Sequence, residues 1–144
     1  MTTRISLIQL GHFHPLLVHF PIALVLTAAA AEAAAFVWPM RAWHVVGVMN
    51  VRAGALFSLV TAVLGWLFVS SAAIDHTPQL EWHRWVGIAG AVISSAAALL
   101  SSTRSDRSPR SVGAYRLALF AAALLVGIAG HLGGMLVWGT PFQP

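Results

Sequence analysis

Cysteine is absent from this chain of 144 residues, and so is lysine. Without cysteine there is no disulfide, no thiolate-held zinc or iron–sulfur cluster, and no C-x-x-C-H attachment of a c-type haem. Any metal must be held by His, Met, carboxylate or backbone. Charge is nearly as scarce, at 8% of residues with only four acids, while 58% are hydrophobic. That balance excludes an ordinary soluble domain and identifies an integral membrane protein. The eight basic residues are all Arg, giving a net charge of +4, and no basic stripe interleaved with aromatics points to nucleic acid. Nothing resembles a nucleophilic triad, a phosphate-cradling loop or a paired-carboxylate site, so hydrolysis is not indicated.

What the chain does have is four apolar segments, over 15–38, 46–70, 84–102 and 115–138. Each is near the ~20 residues that cross ~30 Å of hydrocarbon. They predict an all-α, integral membrane, antiparallel four-helix bundle forming one domain over 1–144. Pro15 suits a first helical turn, Pro21 predicts a kink beside His19, and Pro39 and Pro141 follow the first and last spans. The N-terminal stretch with Arg4 has some character of a signal peptide, but its histidines, prolines and Glu32 fit a first span better. No repeat is evident apart from an Ala run. Arg41 lies in the first connection and Arg104, Arg107 and Arg110 in the third, whereas the second carries Asp75 and Glu81. The positive-inside rule then places both termini on the periplasmic side of a bacterial inner membrane. Trp38 and Trp43 mark one interface; Trp66, Trp82, Trp85 and Trp138 mark the other.

Histidine is where chemistry concentrates. His14 and His19 open the first span, His83 opens the third, and His131 lies in the Gly-rich second half of the fourth. Antiparallel packing brings these four to one end of the bundle, and ionisable groups within a bilayer are functional by default. At ~1.5 Å per residue His19 and His131 lie deeper, and His14 and His83 at the rim. His19 and His131 are therefore the preferred axial ligands of a haem b, with His83 and His14 next; four imidazoles can also serve two haems. Gly127 and Gly134 share a face with His131, as Gly87 and Gly90 do with His83, leaving room for a flat macrocycle or for close helix packing. Arg84 can pair with a haem propionate or simply reach the interface. At the other end, equal depth estimates pair Glu32 with Arg52 as an ion pair that fixes the register of the first two helices. A proton path or quinone contact is the sharper alternative there. His44, Asn50, Met49 and Met135 are given no role, and His12 belongs to the lead-in.

Three stretches in combination resemble a known family: His14-Pro-Leu-Leu-Val-His19-Phe-Pro, His83-Arg84-Trp-Val-Gly87 and Gly130-His131-Leu-Gly-Gly. The family is the bacterial four-helix membrane domain DUF2231, and the resemblance covers nearly the whole chain. It implies a small membrane domain, elsewhere joined to Rieske or c-type cytochrome modules, with His14, His19, His83 and His131 as functional residues. The expected function is electron transfer near the periplasmic face by a b-type haem protein. Expected partners are lipid and a periplasmic electron carrier, membrane quinone or redox subunit; Ala/Gly-rich faces would suit a homodimer. Two alternatives stand beside it: a cofactor-free subunit of a membrane complex, and a transition-metal binding or transport protein.

Overall fold

The computed structural model describes residues 10–71, 77–102 and 108–139. Arg4, Asp75, Arg104, Arg107 and Pro141 lie outside them. Five helices make four spans: α1 (His14–Leu17), α2 (His19–Val37), α3 (Arg41–Ser71), α4 (Pro78–Leu100) and α5 (Pro109–Trp138). α1 and α2 together form the first span, and all four spans are long and apolar enough to cross a membrane. The break at Val18 follows from Pro21, which has no N–H to offer the Leu17 carbonyl four residues before it. The expected kink is there, beside His19.

The helix starts differ from the expected ones for local reasons. Thr77 caps α4, its hydroxyl accepting from the Leu80 N–H at 3.2 Å, with Pro78 in the first turn. Ser108 does the same for α5 through the Ser111 N–H at 3.3 Å, with Pro109 behind it. These Thr-Pro and Ser-Pro pairs are helix-start signals that lie outside the apolar runs. Between α2 and α3 the chain turns sharply: Trp38 is extended, as the residue before a proline must be, and α3 resumes at Arg41.

Each span packs against the next, and α2 packs against α5 to close the ring. The result is the antiparallel four-helix bundle expected. Its core is built from small and β-branched side chains, with Val25, Ala28, Val51, Ala97 and Ala122 fully or almost fully buried. Such residues let transmembrane helices approach closely, since packing rather than hydrophobic exclusion holds them together in lipid. Large apolar side chains point outward instead, among them Leu56, Leu99, Leu117 and Leu124. A soluble protein would not present so much contiguous apolar surface, whereas a lipid-facing bundle requires it.

The expected Glu32–Arg52 ion pair does not form. Glu32 is fully buried, and its two carboxylate oxygens accept from His44 Nδ1 and from Arg116 Nε, the latter at 2.8 Å. His44 Nε2 donates to the Ser102 carbonyl at 2.8 Å, and Arg52 turns to Ser101, donating to its hydroxyl at 3.0 Å and its carbonyl at 3.1 Å. The error came from starting the second span at Val46. With α3 beginning at Arg41, His44 sits opposite Glu32 across the short turn, and Arg52 lies two turns further along. The network ties all four spans, through Glu32 on α2, His44 and Arg52 on α3, Ser101 and Ser102 after α4, and Arg116 on α5. Arg116 also lies over the Phe36 ring, 4.3 Å from its centre.

Replacing one partner of a buried ionic group strands the others, typically at about 3–5 kcal/mol. Glu32→Ala is therefore expected to lower thermal stability in detergent markedly, as read by temperature-dependent loss of the monodisperse peak in size-exclusion chromatography. Arg52→Leu, which removes only bonds to a serine, should cost clearly less. Equal effects of the two substitutions would contradict this assignment.

Candidate cofactor site

At the end where α1 and α4 begin and α3 and α5 finish, the helices part around a cavity of about 750 Å³. Its size is that of a small-molecule or cofactor pocket, and its walls are mostly apolar. All four spans contribute, and no Asp or Glu is found among the described residues that line it.

Two imidazoles meet edge-on in it. The rings of His14 and His83 are 6.3 Å apart between centres, with their planes 76° from parallel. Both are half-buried. Each is held by the neighbouring helix in the same manner. His14 Nδ1 donates to the Thr61 carbonyl on α3 at 2.9 Å, and His83 Nδ1 donates to the Ala129 carbonyl on α5 at 3.0 Å. A carbonyl can only accept, so the proton is on Nδ1 and the neutral ring keeps its lone pair on Nε2. Nε2 makes no hydrogen bond to any described residue. This is the arrangement by which proteins orient a histidine for metal binding.

A glycine one turn beyond each carbonyl makes the space. A Cβ at Gly65 would stand 2.8 Å from His14 Cε1, and one at Gly133 would stand 3.0 Å from His83 Cε1. Any other residue would push the ring aside. Gly87 and Gly134 also line the cavity, and nothing lies within 4 Å of where their Cβ atoms would be. They leave open room at the helix backbone.

The remaining candidates are placed as follows. His19 lines the same cavity but is exposed, its Nδ1 3.3 Å from the Leu16 carbonyl on its own chain turn. His131 is exposed and opens into a separate shallow depression with Gly134, Met135 and Trp138. The reason is helical phase. His83 docks on Ala129 and Gly133, and His131 lies midway between them in sequence, hence on the opposite face of α5. His19 and His131 are thus not brought together. Arg84 stands in the cavity wall: its Nη1 donates to Glu81 at 2.8 Å, and its guanidinium lies 4.3 Å from the centre of the Trp66 ring. Its Nε is buried with no hydrogen-bond partner among the described residues, and so is the hydroxyl of Ser58 on another wall. Buried polar atoms of this kind await a partner. His12 meets the Phe68 ring edge-on at 5.5 Å and takes no part.

Sequence reasoning ranked depth above direction. The signal it passed over was the glycine phase: Gly65 and Gly133 mark the faces that receive a ring, whereas Gly127, which shares the face of His131, has nothing within 4 Å.

In the protein at neutral pH, ¹⁵N-histidine NMR should show His14 and His83 as Nδ1–H tautomers, the minor form of the neutral histidine side chain in water. Gly65→Val should displace the His14 resonance and leave His83 unmoved, with Gly133→Val doing the reverse. Nε2–H tautomers at both positions would sink the assignment of the two carbonyl bonds.

Comparison with curated proteins and with solved structures returns no match. The family comparison does: the DUF2231 family, described as "Predicted membrane protein", matches residues 12–142. With four membrane-spanning helices and nearly its whole length matched, the chain is a multi-pass membrane protein that belongs to the DUF2231 family.

Proposed function

We propose that the protein is a membrane-embedded haem b protein that transfers electrons, with His14 and His83 as the axial pair. The observation that carries this reading is the pair of imidazoles, each fixed through Nδ1 with its Nε2 lone pair left over. His14 and His83 would hold the iron through Nε2, with metal–imidazole bonds of about 2 Å. Ring centres 6.3 Å apart are near enough for both histidines to serve one metal ion.

A macrocycle is favoured over a bare ion by the ligand supply. Among the described residues no group of three or more His, Cys, Asp or Glu could hold a metal. Bare zinc or copper normally takes three or four protein ligands, whereas haem brings four nitrogens and needs only the axial pair. The open space beside Gly87 and Gly134 fits a flat group, and the unpartnered Arg84 Nε is available to its acidic substituents. One haem is favoured over two, because among the described residues only His14 and His83 are paired within the cavity. Haem, when bound, supplies a one-electron iron couple. The protein's part is to fix both rings, exclude water with apolar walls and hold the acidic edge near Arg84.

Arg41, Arg110 and Arg116 lie in the first turns of α3 and α5, at the opposite end of the bundle, and under the positive-inside rule this supports a cavity on the periplasmic side of a bacterial inner membrane. A partner would then be a periplasmic electron carrier, a membrane quinone or another redox subunit. A second reading is favoured by the same hydrogen bonds: the two histidines would be clasps between helices in a cofactor-free subunit. Absorbance separates the two. After expression with haem supply, the purified protein should show a Soret band and, on dithionite reduction, an α-band. His14→Ala and His83→Ala should each abolish or strongly perturb that spectrum, while His44→Ala leaves it intact. A colourless protein would overturn the haem reading in favour of the clasps.

A further inference from the structure

The two imidazole mounts are copies of one another. His14 reaches a carbonyl 47 residues on, and His83 reaches one 46 residues on; in both cases the receiving glycine lies one turn past that carbonyl. The first mount is built by α1, α2 and α3, the second by α4 and α5, so each belongs to one helical hairpin. At the opposite end the match is looser: Glu32 and Ser101 are related by the same offset as His14 and His83, whereas Arg52 and Arg116 sit about one turn apart in register. Arg52, on the second helix of the first hairpin, reaches Ser101 where the first helix of the second hairpin ends. Arg116, on the second helix of the second hairpin, reaches Glu32 near the end of the first helix of the first hairpin. The two matched histidine mounts, one in each hairpin, are what an approximate two-fold axis along the bundle produces. Sequence comparison of the halves does not show it, because little beyond the leading histidine and the small residues is shared.

We infer that His14 and His83 are equivalent half-sites on an internal two-fold axis, and that together they fill the coordination of one metal centre on that axis. This rests on the haem reading above and adds to it. Held by both histidines, the group would be left no position for a diatomic gas, and the chemistry it would supply is electron transfer. The two mounts match at the rings, each with a backbone acceptor, a glycine against Cε1 and half-burial, while Arg84 and His19 line the cavity without counterparts in the other hairpin. A site meant to keep one position open for a substrate would instead pair a single fixed histidine with a small or apolar residue opposite.

The test uses the full chain in detergent, reconstituted with haem, and reads ligation state by absorbance and EPR. The wild-type ferric form should be low-spin and its ferrous form inert to carbon monoxide. His14→Gly and His83→Gly should each give a high-spin form that binds carbon monoxide, and millimolar imidazole should restore the low-spin spectrum in both. The double variant should lose haem. Carbon monoxide binding by the wild type, or a low-spin spectrum surviving in one single variant, would overturn the equivalence while leaving haem binding standing. Failure of the wild type to retain haem would overturn both. Because a glycine variant can misfold, Gly65→Ala and Gly133→Ala provide the second measurement: each should raise the high-spin fraction. A rise in only one of the two would count against the inference.

Discussion

A backbone carbonyl inside a transmembrane helix already accepts one hydrogen bond, from the N–H four residues later. At Thr61 and Ala129 it accepts a second, from an imidazole on the neighbouring helix, and much of the structure follows from that. The bond holds each ring at a fixed height and selects its tautomer. It also requires the two backbones to lie close, which the glycine one turn on permits. In a medium with no water to compete, a ring that loses such an acceptor has nowhere else to turn. The first and third spans are therefore pinned to the second and fourth at one end, and the cavity between the two pins is a consequence of their placement.

The far end is held by a different device. Glu32 is a charge that hydrocarbon would not tolerate alone, and it is met by two cationic or proton-bearing partners from two other helices. Arg52 and Ser101 join the remaining neighbours. A bundle of small side chains has many nearly equivalent ways to slide, since Ala and Val interlock weakly. The polar end allows one register. The histidine end can then be loose enough to enclose a cavity without the four helices losing their alignment.

The fold was legible because it depends on quantities a sequence displays openly: run length, composition and the side on which arginines fall. The gathering of four histidines at one end was legible for the same reason. Two things were not. Helix starts at Thr77 and Ser108 extend past the apolar runs, and α3 starts in what looked like a connection, so depth counts at the Glu32 end were displaced by more than a turn. Which histidines point inward was also obscured, because depth along a helix says nothing of azimuth. His131 looked central by depth, yet the contacts of Gly130 and Gly133, with Ile22 and His83 respectively, show the inward face of α5 to lie opposite it. Those glycines were in view; what they face depends on the partner helix.

Between the two polar ends lies a layer of the fully buried Ala28, Val51, Ala97 and Leu119, with the buried hydroxyls of Ser94 and Ser58 on its cavity side. It acts as a dielectric gasket. It separates the buried Glu32 network from the histidine cavity, so the hydrogen bonds of one end do not reach those of the other. Each polar group is then stabilised by its immediate partners, since a low-dielectric layer offers no others.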